Sequence, residues 1–262
     1  MHGPVTTTQG DIPAIDWQGA PLDEATCGAC AHAALRDSGG CEPGRCCMQD
    51  AYARRIDRFF RTHPSLANEH LAHPYFEVRA IAARHAELFR LPALLDDPDE
   101  TVRMQLALRL PQRLLLRMAS DPHREVRIRV AQRIDATALP SLLRDPDYQV
   151  RQTVARRLPE GLLPLLMHDA DLQVRLEVAR RVQMPALWRL VEDAAPEVRR
   201  IVAERLPAPL LDVLAGDPDW TVRWEAAGRA LGHVLERLLA DEESEVRERA
   251  AARRAELECT HG

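Results

Sequence analysis

From residue 78 onward the chain repeats one arrangement of apolar and polar positions every 24 residues. Val-Arg recurs at Val78-Arg79, Val102-Arg103, Val126-Arg127, Val150-Arg151, Val174-Arg175, Val198-Arg199, Val222-Arg223 and Val246-Arg247, with no insertion or deletion. With each Val as position zero, apolar residues return at +4 (Leu106, Val130, Val154, Val178, Val202), Ala at +5, and Leu, Ile or Val at +8 in the central copies. At ~100° per residue these positions share one side of a helix, which predicts about three helical turns buried along one face. Pro111, Pro159 and Pro207 then end the helix. The second half of each unit is shorter: Leu91, Leu115, Leu139, Leu163, Leu187, Leu211 and Leu235 mark it, and Pro92, Pro140 and Pro164 follow at once. So short an apolar run, with Pro near its start, predicts a 3₁₀ or irregular helical turn, and it lacks the period-two alternation of a strand.

One such unit cannot bury its own face, whereas a stack can, and a count without slippage implies that contacts between neighbours fix the length. The predicted fold is all-α, a solenoid of 24-residue repeats alternating an α-helix with a short 3₁₀ helix. An Asp opens each unit at 97, 121, 145, 169, 193, 217 and 241. It reads as an N-cap with Pro often following at the first helical position, and Glu100 completes a capping box with Asp97.

The Arg at +1 falls inside the apolar stripe and needs a partner there. The opening Asp column, in the same or the adjacent unit, is the candidate. A ladder of such pairs would set register between units. A second column at +7 (Arg109, Arg133, Arg157, Arg181, Arg205, Arg229, Arg253) lies near the helix C-terminus. There a cation complements the helix dipole, or the column forms a guanidinium track for an acidic partner or an RNA backbone.

Composition narrows the picture. The chain is 46% hydrophobic but only 4% aromatic, so its core is built from Leu, Val and Ala. Net charge is −5, which supplies no general attraction to nucleic acid or anionic membrane, and nucleic acid is not an expected partner. All 35 basic residues are Arg. MHGPVTTTQGDIPAID has no basic segment followed by an apolar run, so no signal peptide is expected, and no window approaches the ~18 apolar residues of a membrane span. A soluble cytoplasmic protein with reduced thiols is the expectation.

Five of six cysteines lie between Cys27 and Cys47. Cys27-x₂-Cys30 places two thiolates on one turn, and the Gly39-Gly40 and Pro43-Gly44 turns bring Cys41 and one later thiol back to them. Four thiolates suit zinc or an iron–sulfur cubane. Spacing alone ranks zinc first, an iron–sulfur cluster second and disulfides or free thiols last. His32 is a candidate fourth zinc ligand, and Cys259 reads as an unligated thiol.

The units DPDETVRMQLALRLP from Asp97, DPDYQVRQTVARRLP from Asp145 and DPDWTVRWEAAGRAL from Asp217 resemble the leucine-rich repeat variant family, over roughly residues 54–254. The resemblance implies a right-handed superhelix without a sheet. Residues 1–53 then form a small Cys-rich head and 54–262 the solenoid. Within it, 54–77 are a degenerate adapter, with His73-Pro74 in place of Asp-Pro, and 246–262 a polar cap. Some members carry a head with a [4Fe–4S] cluster bound by four Cys, patterned C-x₂-C-x-H and C-x-P-G-x-x-C. Carried onto this chain, the pattern implies Cys27, Cys30, Cys41 and Cys47 as ligands, with Cys46 the fallback for Cys47.

No nucleophile elbow, phosphate loop or His-Glu-x-x-His motif is present, so a non-enzymatic role is expected. The function expected is a protein-interaction scaffold with a structural or redox-responsive cluster, its partner another protein on the solenoid surface. The alternatives are an electron-transfer protein or a zinc-containing binding module.

Overall fold

The computed structural model describes residues 12–261. The reading of the first residues as no signal peptide lies mostly outside them. The chain divides into two compact units at Ile134/Asp135, and the described residues contain helices, turns and three isolated bridges but no strand.

In the first unit, two short head helices, α1 (Glu24–Gly28) and α2 (Ala33–Asp37), precede α3 (Ala53–Thr62), α4 (Phe76–His85), α5 (Glu100–Arg109), the single turn α6 (Gln112–Leu115) and α7 (Arg124–Arg133). 3₁₀ segments Pro64–His70, Leu88–Leu94 and Leu116–Met118 separate the longer helices. The second unit continues the alternation. Its helices are α8 (Tyr148–Arg157), α9 (Leu172–Arg181), α10 (Pro196–Arg205) and α11 (Trp220–Ala227), then α12 (Gly232–Leu239) and α13 (Ser244–His261). A 3₁₀ segment precedes each of α8 to α11, whereas α12 is α-helical where a 3₁₀ turn would stand. The expected all-α solenoid of alternating α and 3₁₀ helices is what folds.

The periodic positions are the core. All eight zero-position Val residues are fully buried, as are Leu106, Val130, Val154, Val178 and Val202 at +4. Ala at +5 is fully buried from Ala83 through Ala227, and only Ala251 is exposed. A methyl group at this place lets the neighbouring helix approach closely, and any larger side chain would overpack the seam.

The Arg ladder forms, with partners in the next step. In the first unit, Arg103 Nε and Nη2 donate to Asp121 Oδ2 and Oδ1 at 2.8 and 3.1 Å. In the second unit, Arg151 reaches Asp169 at 2.7 and 2.8 Å. The remaining arm, Nη1, donates to the carbonyl of its own step's opening Asp: Asp97 for Arg103 and Asp145 for Arg151. One fork thus joins two consecutive steps. Arg79, Arg175, Arg199 and Arg223 repeat the carboxylate contact.

The opening Asp is therefore not the N-cap, and Asp97 with Glu100 is not a capping box. Its Oδ1 accepts the N–H two residues on, as in Asp99 N–H to Asp97 at 2.9 Å, making an Asx turn. The second Asp of the unit caps instead: Asp99, Asp147, Asp171 and Asp219 each accept from the first turn of α5, α8, α9 and α11. The first Asp has to serve the ladder, and Pro98 between the two carboxylates carries no N–H to be capped.

Most of the +7 column serves the preceding helix, whereas Arg253 bonds Glu256 on its own helix. Arg109 donates to the carbonyls of Ala83 and Ala86, Arg181 to Ala155 and Leu158, Arg205 to Ala179 and Val182. These are carbonyls that a helix C-terminus leaves without intrahelical partners. The guanidiniums are partly buried supports of the stack and not a track open to a ligand.

The degenerate region keeps the alternation. α3 and Pro64–His70 form a helix followed by a 3₁₀ turn, Ala67 is fully buried in the Leu column, and α3 starts 23 residues before α4, one short of the period. His73 Nδ1 accepts the N–H of Tyr75 at 3.1 Å, reproducing the Asp turn. Arg55, at +1 by sequence count, turns instead into the head. There it bonds Asp50 at 3.1 Å and the carbonyls of Pro13 and Ile12 at 3.0 and 2.6 Å.

Removing Arg151 leaves Asp169 without its fork in a mostly buried place. Arg151→Ala is expected to cost about 2–5 kcal/mol in chemical denaturation, the scale for breaking a buried pair. A loss below ~0.5 kcal/mol would mark the ladder as superficial. Burial raises the Asp169 pKa, but the bonds from Arg151 and the Asp171 N–H outweigh it and leave it below the usual Asp value. A depressed carboxylate contributes stability that is present above its unfolded pKa and is lost as pH falls through the folded one. Stability should therefore decline below about pH 4, and Asp169→Asn should flatten that limb of the pH profile.

Candidate metal centre

The head is built from turns that bring four thiols to the wall of one small cavity. Asp23 caps α1 by accepting the Thr26 N–H at 2.9 Å, and Cys27 lies on α1's buried side. Cys30 follows in the turn, and its sulfur accepts the His32 N–H at 3.4 Å. Gly39, with φ +76°, closes α2, and Gly40 N–H returns to the Leu35 carbonyl at 2.7 Å, which reverses the chain.

The next segment turns the two late cysteines to opposite sides. Glu42 and Cys46 exchange both backbone hydrogen bonds at 2.8 Å, around a turn with Pro43 first and Gly44, at φ +77°, second. This is the type II pattern, which needs a left-handed residue in second place. In an antiparallel ladder the pair flanking a hydrogen-bonded pair brings its side chains closest, and alternate residues face opposite sides. Cys41 and Cys47 are that flanking pair, and Cys46 faces away. Its Sγ lies 3.8 Å from the Gly40 carbonyl.

Cys27, Cys30, Cys41 and Cys47 accordingly line one small cavity of about 20 Å³, with Leu22 and Ala33 among its apolar walls, Arg36 as its charged neighbour and no carboxylate. Cys46 is not part of that wall, and Cys259 is exposed on α13. Burial raises the Cys27 pKa, and Arg36 opposes it. Cys41 is raised, first by donating to Cys47. Cys47, accepting that bond, is lowered to about 7. Thiols this close cannot all ionise without a cation among them, and a metal centre supplies one. The soft, all-sulfur donor set fits zinc or an iron–sulfur cluster. Among the described residues no three His, Cys, Asp or Glu groups converge on a single metal-ion position. His32 borders the cavity, but its Nε2 is paired with His70 Nε2 at 2.8 Å.

The cysteine-bearing segment is tied to the first helices. Cys47 N–H donates to the Arg55 carbonyl at 3.3 Å, and His63 Nε2 pairs with the Gly40 carbonyl at 2.7 Å. The contributions of Arg36, Gln49, His63 and His70 carry no motif. The tight reversal that Pro43-Gly44 permits was the available signal for which late cysteine faces Cys41.

Residues 14–69 match the family profile described as LRV protein FeS4 cluster. Residues 76–99, 148–171 and 196–219 match that of the leucine rich repeat variant. A solved structure described as a leucine-rich repeat variant with a novel repetitive protein structural motif is 43% identical, with a TM-score of 0.82 over 87% of this chain and 97% of that one. The chain belongs to the leucine-rich repeat variant family. A 27.7 kDa protein in the nifB 3′ region of Rhodobacter capsulatus is 53% identical over 97 residues, and the match spans 38% of that relative's length and 37% of this chain. As a leucine-rich repeat variant with an FeS4 head, the protein takes a [4Fe–4S] cluster as its cofactor, and the zinc alternative gives way.

Gly44→Ala would force a left-handed conformation on a residue with Cβ, in the turn that sets Cys41 against Cys47. The variant of this leucine-rich repeat variant head should lose about 1 kcal/mol and release iron to a chelator faster than wild type, followed by absorbance.

Proposed function

We propose that the protein is a non-catalytic interaction scaffold whose cluster, held by Cys27, Cys30, Cys41 and Cys47, braces the first helices of the solenoid and loosens them when oxidised. The shared cavity of these four thiols supports the ligand set. A bound cluster supplies one-electron redox chemistry together with four covalent tethers between otherwise short turns.

The observation that carries the reading is the set of bonds from the cysteine-bearing segment to α3 and the turn after it: Cys47 to Arg55, Gly40 to His63, and His32 to His70. The head has few residues with which to bury a core of its own. Its tethers therefore matter more to its order than side-chain packing does. Repeat surfaces suit extended protein partners, and no described helix is long and apolar enough to cross a membrane. A reducing, cytoplasmic setting is in keeping with thiols that must stay reduced to hold iron. The Cys-rich head (residues 1–53) and the solenoid (54–262) are the two working parts of this proposal.

Hydrogen exchange on the anaerobic protein before and after oxidative cluster loss tests the bracing. Peptides spanning 41–62 should exchange at least tenfold faster, and those of α8–α10 should stay unchanged. Equal protection of α3 in both states would contradict the idea. Cys27→Ser, Cys30→Ser, Cys41→Ser or Cys47→Ser should abolish iron loading in anaerobic preparations while most helical circular dichroism persists, and Cys46→Ser should load normally. Iron bound by Cys47→Ser and lost from Cys46→Ser would exchange their roles.

A further inference from the structure

Beside the thiol cavity, across the Gly39–Cys47 segment, lies a second and larger concavity that the cluster does not use. This open cleft of about 490 Å³ is lined by Gly39, Gly40, Glu42, Arg45, Cys46, Arg58, Arg61 and Thr62. Its volume falls in the range of small-molecule sites. Three guanidiniums meet there against one lining carboxylate, Glu42.

The arginines elsewhere in the fold set the contrast. Most of those at +1 are taken by aspartates and most of those at +7 by carbonyls. In the cleft, Arg58 makes no ion pair among the described residues; its Nη1 donates to the Arg45 carbonyl at 3.2 Å, which fixes the side chain across the cleft. Arg45 pairs loosely with Glu42 at 3.3 Å, both well exposed. Arg61 is 3.5 Å from Asp57, but Asp57 is shared with Arg84 at 3.5 Å and His85 at 3.8 Å. Arg54, Arg58 and Arg61 also follow one another at i, i+4 and i+7 along α3. Like charges so spaced repel and destabilise a helix. An anion seated between Arg58 and Arg61 would relieve that repulsion, and planar forks are suited to carboxylate and phosphate oxygens.

The geometry points to this cleft as a binding site for a small, multiply charged oxyanion, a polycarboxylate or a phosphate, next to the hairpin that carries Cys41 and Cys47. The site is independent of whether the solenoid acts as a scaffold.

Calorimetric titration of the cluster-loaded, full-length protein without oxygen tests it, with tricarballylate and inorganic phosphate as separate probes. Saturable one-site binding is expected. It should weaken at least tenfold in Arg58→Ala and in Arg61→Ala, and less in Arg58→Lys, which keeps the charge and loses the fork. Arg113→Ala, at an exposed position on α6, should bind as wild type does. Iron content and circular dichroism show which variants are intact, and Arg61→Ala serves if Arg58→Ala is not. Tighter binding of tricarballylate assigns a carboxylate ligand, and tighter binding of phosphate a phosphorylated one. No saturable binding of either probe overturns the site, as does equal weakening in Arg113→Ala or unchanged affinity in both α3 variants.

Discussion

Within each compact unit, consecutive steps of the solenoid are locked together by one guanidinium apiece. Arg103 holds the carbonyl of its own opening Asp97 with one arm and the carboxylate of Asp121 with the other two nitrogens. Lengthening a unit by one residue would move the carboxylate off the fork and rotate the buried Val and Ala columns out of the seam. That is the physical content of a repeat without insertions. Dispersion between Val, Leu and Ala provides the bulk of cohesion, but it is non-directional. The directional contact fixes the period.

The same demand explains why the residue is Arg. Lysine offers a compact point charge and could serve the carboxylate or the carbonyl, whereas the fork serves both in one plane. The opening Asp is equally committed: Oδ1 takes a backbone N–H and an Arg arm, and Oδ2 takes the other arm. A group so occupied cannot also cap a helix, and so the unit carries a second Asp two residues on. At the worn first step the two jobs separate. His73 makes the turn with its ring nitrogen, and Arg55 turns to Asp50 in the head. The ladder's first position thereby becomes the anchor between the thiol-bearing segment and α3.

Much of this was legible in the sequence. The period, the helical face, the 3₁₀ half and the Arg–Asp pairing all follow from spacing, because they recur and each recurrence checks the last. What spacing could not assign was direction. Asp97 stands six residues before Arg103 and Asp121 eighteen after, and only stacking makes the second the partner. The N-cap was misread for the same reason, since a local rule favours the first Asp of the unit and a contact with the neighbouring step overrides it. The +7 arginines were read against their own helix, whereas the carbonyls they bond belong to the one before.

In the head, recurrence gives no help, and the thiols were legible only through type and spacing. Which of Cys46 and Cys47 faces Cys41 is nonetheless a matter of backbone parity. Pro43-Gly44 permits a tight reversal, the reversal pairs Glu42 with Cys46, and the residues just outside that pair then face each other. Parity also sends Cys46 to the opposite side, into the cleft with Arg45, Arg58 and Arg61. One hairpin therefore presents soft sulfur on one face and guanidinium nitrogen on the other. A change in order on the first face has a short covalent route to the second, through Gly40, Cys41, Cys46 and Cys47. Coupling between cluster state and anion affinity would need nothing beyond the stiffness of these few bonds.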